Sequence, residues 1–311
     1  MKFYLAPMEG ITGHVYRNAH QECFGSLDRY FTPFLASKKL SAKEKKEVSP
    51  DNNIGMEVIP QILTNRADEF LAIARQLEQL GYTTVNLNLG CPSGTVTAKN
   101  RGAGFLKVPD ELEKFLEEIF TACPLKISVK TRIGAYYTEE FEKIIEIYNK
   151  FPLEELIIHP RLMTDFYNGE PRLEIFEQAI SQSVHPLCYN GNINSVRDYE
   201  LLMEKFPNID RIMLGRGLLA NPGLVDEIRG EAPVETEKLR EFHALLYEAY
   251  KKEMSDERNT LFKMKELWTF MSRFFIDSED ILRKIRKAGS FMEYEIAVRN
   301  AMKMDRKTER R

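Results

Sequence analysis

The segment from Val85 to Lys107 carries the residue types best suited to chemistry. It holds a cysteine, Cys91, in a Gly-Cys-Pro turn that follows a strand-like run ending at Asn88. A thiol between glycine and proline just past a strand is displayed on a loop, where the reactive groups of α/β enzymes lie. Most free cysteines are instead small buried hydrophobic residues, which is the competing interpretation. The turn residues and the polar Asn86 and Asn88 favour the reactive thiol.

Regular elements must position such a thiol, and the chain alternates between strand and helix patterns up to residue 230. Eight strand-like runs are present, at Lys2–Pro7, Tyr30–Thr32, Glu57–Leu63, Thr84–Leu89, Ile127–Arg132, Leu156–Pro160, Leu187–Gly191 and Arg211–Gly215. Helical patterns separate most of them, for example at Asp68–Leu80, Glu139–Tyr148 and Ser195–Phe206, the last with a serine cap. This alternation predicts an α/β fold with a parallel barrel or a doubly wound sheet, and the count of eight favours the (β/α)8 TIM barrel.

Polar residues cluster at the carboxyl ends of seven of these predicted strands. They are, in chain order, Glu9, Gln61, Asn88 with Cys91, Lys130 with Arg132, His159 with Arg161, Asn190 to Asn192, and Gly215 to Gly217. In a barrel these positions meet on one rim, where catalytic residues lie. The last two groups are glycine-bearing turns that lead into helices, which predicts a phosphate site with Arg216 as a charged contact. Ordinary turns between strands and helices are the alternative.

Composition and charge narrow the class of protein. The 311 residues can bury a full core, and no apolar run reaches the ~18 residues of a membrane span. The four cysteines are scattered without a Cys-x-x-Cys pair, which argues against a disulfide framework, structural zinc or an iron–sulfur cluster. We therefore expect no metal site. The start, MKFYLAPMEG, has no signal-peptide pattern, so a reducing cytoplasm is predicted.

The net charge of −3 is unevenly distributed. Residues 1–230 carry 26 Lys and Arg against 31 Asp and Glu, whereas residues 231–311 carry 18 against 16. Proline and glycine are frequent between Pro222 and Pro233, near this change in composition. We predict a barrel domain at 1–230 and a smaller, all-helical domain at 231–311.

The chain resembles the tRNA-dihydrouridine synthases, flavin-dependent enzymes that reduce a specific uridine in tRNA. The matching motifs run in order over the whole barrel: LAPMEG at Leu5–Gly10, NLGCPS at Asn88–Ser93, SVKTRIG at Ser128–Gly134, IHPR at Ile158–Arg161, NGNI at Asn190–Ile193 and GRG at Gly215–Gly217. The segment KMKELWTFMSRFF at Lys263–Phe275 looks like part of the family's tRNA-binding domain, less specifically. The family pattern is not kept at Thr32-Pro33, Leu162 and Asp165, which border the RNA cleft, whereas Tyr167 fits it.

The resemblance implies a set of roles for the rim residues. It implies FMN as cofactor, NADPH as reductant, tRNA as partner and a monomeric cytoplasmic enzyme. Cofactor contacts would come from Pro7, Met8, Glu9, Gln61, Lys130, His159, Asn190, Gly191, Asn192, Gly215 and Arg216. Contacts to tRNA or its uridine would come from Asn88, Lys99, Arg101, Arg132 and Arg161, and Cys91 would donate the proton.

The chemistry of the reaction is consistent with these roles. Saturating the 5,6 double bond of uracil needs a hydride at one carbon and a proton at the other, and no side chain supplies hydride. The acid must be protonated at neutral pH, as a cysteine with an ordinary pKa of ~8.5 is. Since nearby cations lower a thiol pKa, Lys99 and Arg101 are predicted to contact phosphates instead. Lys130, at the end of a buried-type strand, would stabilise the negative charge of a reduced flavin.

Surface cations supply candidate tRNA contacts despite the net charge, because phosphate binding needs only a local stripe. In the tail they are Lys263, Lys265, Arg283, Lys284, Arg286 and Lys287. The lysine-rich segment Ser37–Glu47 is either a further contact or a solvated helix. Trp268 and Phe270 lie in a helical apolar pattern, which favours core packing over base stacking.

Three functional hypotheses remain open from the sequence. The leading one is an FMN-dependent tRNA-uridine reductase. The second is an FMN barrel that acts on a free pyrimidine or on dihydroorotate, which leaves the basic helical tail unexplained. The third is a non-catalytic tRNA binder, against which the presence of Cys91, Lys130 and His159 argues.

Overall fold

A computed structural model describes residues 1–254 and 256–307. In these residues nine strands form one parallel sheet. They are β1 Lys2–Leu5, β2 Arg29–Phe31, β3 Val58–Ile59, β4 Gln61–Ile62, β5 Thr84–Leu89, β6 Lys126–Gly134, β7 Leu156–Leu162, β8 Leu187–Asn190 and β9 Arg211–Leu214.

The sheet closes into a barrel at Pro60. Its order is β3-β2-β1-β9-β8-β7-β6-β5-β4, so the two edge strands are consecutive in the chain and only Pro60 separates them. Proline has no N–H to donate, which interrupts one strand into β3 and β4. The Pro60 carbonyl still accepts from the Asn86 N–H at 2.8 Å. The eight predicted strands and the TIM barrel are therefore confirmed, with the third strand in two halves.

Helices alternate with the strands and then continue alone. Over the described residues they are α1 His14–Cys23, α2 Ala42–Val48, α3 Ala67–Gln79, α4 Gly94–Thr97, α5 Pro109–Ala122, α6 Glu140–Tyr148, α7 Leu173–Gln182, α8 Val196–Lys205, α9 Arg216–Ala220, α10 Leu224–Ile228, α11 Thr236–Glu253, α12 Glu257–Met271, α13 Ser278–Lys287 and α14 Phe291–Ala301. The Ser195 side chain caps α8 by accepting from the Asp198 N–H. The predicted helices at 68–80, 139–148 and 195–206 correspond to α3, α6 and α8.

The barrel interior is apolar in the middle and charged at its amino end. Tyr4, Phe31, Ile157, Cys188 and Met213 are among the side chains that fill it. Below them the buried Glu155 accepts from the Tyr4 hydroxyl and pairs with Arg29 and Arg211. The amino end is thus sealed, and access to the interior is from the carboxyl ends of the strands.

The C-terminal region is helical, as predicted, and it packs on the barrel through α11. Phe242 meets Tyr16 of α1 edge-on, with ring centroids 5.6 Å apart. Trp268 is fully buried and donates to the Tyr294 hydroxyl at 2.9 Å, so the core position favoured by the sequence pattern is confirmed. The domain boundary near residue 230 stays a prediction. In the described residues no helix is long and apolar enough to cross a bilayer.

Candidate active site at the carboxyl ends of the strands

The loop after β5 holds Cys91 through the side chain of Asn88. The Asn88 Oδ1 accepts from the backbone N–H groups of Gly90, at 3.0 Å, and of Cys91, at 2.9 Å. Its Nδ2 donates to Gln61 Oε1 at 2.7 Å. Asn88 was predicted to face a uridine. The structure gives it a second task, which is to fix the turn that carries the thiol.

Asn88 is itself oriented by a buried row of polar side chains across the strands. Gln61 Nε2 donates to Asn86 Oδ1 at 2.7 Å, and Asn86 Nδ2 donates to Ser128 Oγ at 2.9 Å. All three residues are almost fully buried. Because a buried amide left unpaired is costly, this row fixes the amide orientations from β6 to the Cys91 turn.

Gly102 allows the chain that follows α4 to pass close to Cys91. The Cys91 carbonyl accepts from the Ala103 N–H at 3.0 Å. Gly102 has a φ of +57°, and an added Cβ there would lie 2.7 Å from the Cys91 carbonyl oxygen. Only glycine fits both the conformation and the space.

The Cys91 thiol is half-buried and keeps its proton at neutral pH. Burial raises the pKa of Cys91 above its ordinary value, against smaller opposing effects of the Ser93 N–H, Arg132 and Lys130. The nearby cations are therefore Arg132 and Lys130, at the end of β6. Arg101 is engaged elsewhere, with Glu69 at 2.9 Å and Asn65 at 3.2 Å, and Lys99 is exposed on the surface.

Lys130 brings an unpaired ammonium group into the barrel mouth. Neither a hydrogen bond nor an ion pair of its Nζ is found in the part of the chain that the structure describes. Burial, and then the charge of Arg132, lower the pKa of Lys130 to about 8. An anion beside this group would restore its pKa, so the site is suited to negative charge.

His159 is a neutral ring among cations. Its Nε2 lies 2.9 Å from Arg161 Nη1, so this nitrogen accepts from the guanidinium. Burial first, and then the charges of Lys130, Arg132, Arg161 and Arg216, hold the pKa of His159 well below its usual value. Four cations thus face one neutral histidine at the mouth of the barrel.

Arg161 lies fully buried and holds the loop after β7. It donates to the backbone carbonyls of Asn168 and Gly169 and to Asn192 Oδ1. The sequence predicted that Arg161 contacts tRNA. Its burial favours a positioning role instead, because no part of its surface is offered to a macromolecule.

Arg132 joins the loops after β5 and β7. It donates to the carbonyls of Gly90 at 2.9 Å, Leu162 at 2.7 Å and Phe166 at 2.5 Å. Its guanidinium also lies over the ring of Tyr167, 5.4 Å from the centroid, and Arg216 lies over the same ring at 5.6 Å. Tyr167 is 55% exposed, so one aromatic ring borders both cations and the solvent.

The two glycine turns after β8 and β9 lie against each other. A Cβ on Gly217 would lie 2.1 Å from the Ile193 carbonyl oxygen, and one on Gly191 would lie 2.0 Å from the Tyr189 hydroxyl. Arg216 donates to Asn192 Oδ1 at 2.9 Å, which joins the turns at their polar ends. The Asn190 side chain takes no part in this contact and instead joins β8 to β9, since its Nδ2 donates to the Met213 carbonyl at 2.8 Å.

The first turn of the site is formed by the residues after β1. Pro7 and Met8 are half-buried there, and Met8 Sδ would lie 3.6 Å from a Cβ on Gly215. The Met8 N–H donates to Thr12 Oγ1 at 2.8 Å. The exposed carboxylate of Glu9 pairs with Lys43 at 3.2 Å, and its contact with a cofactor stays a prediction.

Comparison with known proteins identifies the family. The family model described as dihydrouridine synthase matches residues 4–307. The chain belongs to the dihydrouridine synthase family. It is therefore an oxidoreductase of this tRNA-modifying family, and the resemblance seen in the sequence is confirmed.

Curated relatives of this dihydrouridine synthase match most of its length. A probable tRNA-dihydrouridine synthase of Staphylococcus aureus (strain Mu50 / ATCC 700699) is 28% identical over 264 residues, which cover 81% of this chain and 79% of the relative. The tRNA-dihydrouridine synthase B of Pasteurella multocida (strain Pm70) is 26% identical over 227 residues, which cover 72% and 67%.

Solved structures share the barrel of this dihydrouridine synthase. Morphinone reductase in complex with tetrahydroNAD superposes with a TM-score of 0.51 at 12% identity, over 76% of this chain and 88% of that chain. Histamine dehydrogenase from Rhizobium sp. 4-9 gives a TM-score of 0.55 at 12% identity, over 74% and 45%. At this identity the likeness concerns the fold alone.

Sequence reasoning named Gln61 and Asn86 but missed Ser128 and the hydrogen bonds that join the three side chains. The row of Gln61, Asn86 and Ser128 carries a recognisable signal, because polar residues at alternate or facing positions of central parallel strands are unusual. The carbonyl partners of Arg132 and Arg161 carry none, since backbone acceptors leave no trace in residue types. Exposed aromatic residues after β6 and β7, Tyr136, Tyr137 and Phe166, were also not singled out.

Proposed function

We propose that this protein reduces a specific uridine of tRNA to 5,6-dihydrouridine, with FMN as its bound cofactor and NADPH as the reductant. The observation that carries the proposal is the Cys91 turn, which Asn88 holds by two hydrogen bonds at the open end of the barrel, where burial raises the pKa of the thiol above its ordinary value. Family membership supports the same reaction, and the relatives of Staphylococcus aureus and Pasteurella multocida, which are named as tRNA-dihydrouridine synthases, support tRNA as its substrate.

The residues at the barrel mouth fit FMN. The Gly191 and Gly217 turns pack closely against Tyr189 and Ile193 and bring their backbone together at the barrel mouth, and Arg216 stands beside them with a cation suited to a phosphate. The unpaired Lys130 ammonium suits a ring that carries negative charge. Pro7, Met8 and Gln61 would border the flat ring, while the neutral His159 would contact its polar edge. When bound, FMN supplies the hydride that no side chain can give.

Cys91 acts as the general acid in this proposal. The Asn88 hydrogen bonds aim the turn, and burial keeps the proton on Sγ until the substrate takes it. Hydride adds to one carbon of the uracil 5,6 bond, and the Sγ proton adds to the other. Water then returns a proton to the thiolate, and NADPH is the compound oxidised overall. Lys130 stabilises the negative charge that the pyrimidine develops between the two additions, and Arg132 holds the loops after β5 and β7 around it.

Phosphate contacts to tRNA come from exposed cations that form no ion pair with another part of the fold in the residues that the structure describes. Lys263 and Lys265 donate to the carbonyls of Gly10 and Ala288, so they are poor candidates. On α13, Arg283 and Lys284 both form ion pairs with Asp280 of the same helix. Arg286 donates to Thr269 Oγ1 in a long hydrogen bond of 3.4 Å. In the lysine-rich segment, α2 presents Lys45 to solvent, whereas Lys43 and Lys46 pair with Glu9 and Glu253. We propose the α13 cations, Lys99 and Lys45 as phosphate contacts of a cytoplasmic monomer.

The proposal is tested with purified protein, FMN, NADPH and an unmodified tRNA transcript. Nuclease digestion and mass spectrometry should find one uridine heavier by two hydrogen atoms. The same position should lack dihydrouridine in tRNA from a strain in which the chain is deleted. Turnover of free uracil or dihydroorotate without reaction on tRNA would instead support an enzyme of free pyrimidines. Protein that never binds FMN would contradict the proposal entirely.

A further inference from the structure

Three aromatic side chains that the proposed mechanism does not use lie exposed beside the barrel mouth. Tyr136 is 50% exposed, Tyr137 is 68% exposed and Phe166 is 50% exposed. The two tyrosines follow β6, and Phe166 follows the neighbouring strand β7. Both the N–H and the hydroxyl of Thr164 lie 3.3 Å from the Ala135 carbonyl, to which they donate. The two loops therefore form one continuous surface.

The β6 loop holds its tyrosines in fixed positions. The carboxylate of Glu140 accepts the backbone N–H groups of Ala135, Tyr136 and Tyr137, the last two at 3.2 Å. An added Cβ on Gly134 would lie 2.8 Å from both Glu140 Oε2 and the Tyr137 carbonyl, so glycine is required for this tight turn. The two tyrosine rings are 6.4 Å apart with planes at 55°, so neither ring covers the face of the other.

The β7 loop presents Phe166 at a cost in backbone energy. Phe166 has a φ of +51°, a conformation that bulky L-residues rarely adopt. Arg132 holds it there by donating to the Phe166 carbonyl, and Asp165 fixes the preceding turn by accepting from the Leu162 N–H at 2.7 Å and pairing with Arg172. A strained backbone that displays an apolar ring to water does not stabilise the fold, which makes Phe166 a candidate for binding.

We propose that Tyr136, Tyr137 and Phe166 form a stacking platform for unpaired nucleotides next to the target uridine; the proposal rests on the proposed function. The surface continues from Phe166 toward the barrel mouth through the exposed Tyr167, whose ring borders Arg132 and Arg216. Exposed aromatic faces are suited to single-stranded RNA, because every base has a face that stacks. The platform would hold open the tRNA loop that contains the uridine once that base enters the barrel.

The test compares ring-removing and ring-keeping variants of the full chain. In the first, Tyr136, Tyr137 and Phe166 are each changed to Leu, singly and together. In the control, Tyr136→Phe, Tyr137→Phe and Phe166→Tyr keep the rings. Readouts are the KM for a tRNA transcript, the NADPH-dependent reduction of bound FMN, and the fluorescence of 2-aminopurine placed beside the modified uridine. The anisotropy of a labelled single-stranded RNA reports binding without catalysis.

Each Leu substitution should raise the KM for tRNA about tenfold where its ring stacks a base. The triple variant should lose the quenching of 2-aminopurine that the wild type produces. FMN reduction should stay at the wild-type rate, which shows that the barrel is intact, and the ring-keeping variants should behave as wild type.

The outcomes separate this proposal from the proposed function. If the wild type reduces tRNA and the triple Leu variant keeps its KM and its quenching, the platform is refuted and the function stands. If no dihydrouridine forms but the Leu variants lose affinity for the single-stranded RNA, the function is refuted, and the three rings still stack RNA but not beside a target uridine. If the wild type neither reduces nor binds RNA, both are refuted.

Discussion

Burial shifts the pKa values of Cys91 and Lys130 in opposite directions, and both shifts suit the proposed reaction. It raises the pKa of the Cys91 thiol, so the proton stays on sulfur at neutral pH. It lowers the pKa of the Lys130 ammonium to about 8, so this group is still charged at neutral pH. One side chain is thus a proton donor and the other a fixed cation, and His159 remains neutral between the cations.

Lys130 gives a pH dependence with a defined sign. The ammonium is present below about 8 and is lost above it, so the rate of FMN reduction by NADPH should fall as the pH rises through this value. A negatively charged ring beside Lys130 raises its pKa, so the fall begins at about pH 8 or higher. Lys130→Met should be slow at every pH, with FMN affinity within a few-fold of wild type. Stopped-flow absorbance checks this, and an unchanged pH profile in Lys130→Met would count against the role.

Arg216 gives a prediction about cofactor affinity. Arg216→Ala should weaken FMN binding by about 1.5–3 kcal/mol, the range for a hydrogen bond to a charged group. Arg197→Ala is the matched control, because Arg197 is exposed on α8 and pairs only with Glu200 and Glu204 in the described residues. Fluorescence titration of the apoprotein with FMN measures both. Equal FMN affinities in the two variants would show that Arg216 does not contact the phosphate of FMN.

Among the elements, the loop after β5 depends most strongly on one backbone conformation. An alanine at Gly102 would place its methyl group 2.7 Å from the Cys91 carbonyl in a left-handed conformation. That conformation alone costs an L-residue about 1–2 kcal/mol. The Cys91 turn must therefore shift, whereas an added Cβ on Gly94 of the same loop meets no atom within 4 Å.

Gly102→Ala should accordingly lower the free energy of unfolding and slow the reduction of tRNA, with FMN binding little changed. Gly94→Ala should leave all three quantities near wild type. Urea denaturation and single-turnover assays on both variants test this pair. If both variants behave alike, close contact between Gly102 and the Cys91 turn does not matter for the reaction.

Most of the strands and helices could be predicted from the sequence, but most of the hydrogen bonds within the site could not. Eight strands, the closing barrel and the rim position of Cys91 follow from alternation and turn residues, which act locally. Arg132 and Arg161 look like substrate-binding cations in the sequence, but both are bonded to backbone carbonyls of the β7 loop. Such partners are distant along the chain and carry no residue signature. The strained φ of Phe166 is hidden for the same reason.

At the scale of the whole molecule, charge is divided between an acidic barrel and a slightly basic helical tail. Residues 278–311 hold ten cations against six anions. The affinity for tRNA should therefore fall steeply with salt, by about 0.7–0.9 units of log–log slope for each phosphate contact. The tail should supply most of these contacts.

Reversing the charges of Arg283, Lys284, Arg286 and Lys287 on α13 should weaken tRNA binding and flatten that slope, with FMN reduction unchanged. The control reverses Lys126, at the amino end of β6, and Lys150, after α6, which are exposed and pair with Glu154 and Glu113. Filter binding at several salt concentrations measures both. Wild-type affinity of the α13 variant would show a solvated helix face and shift attention to Lys99 and Lys45.

The central claim is that the chain divides the reaction into two halves and that Cys91 serves only the second. Rapid mixing of the FMN-loaded Cys91→Ala variant tests it most directly, first with NADPH and then, after reduction, with unmodified tRNA. The account predicts flavin reduction at nearly the wild-type rate and reoxidation by tRNA slower by about 10²–10⁴-fold, the range for a lost general acid. Equal losses in both halves, or reoxidation by tRNA at the wild-type rate, would contradict it.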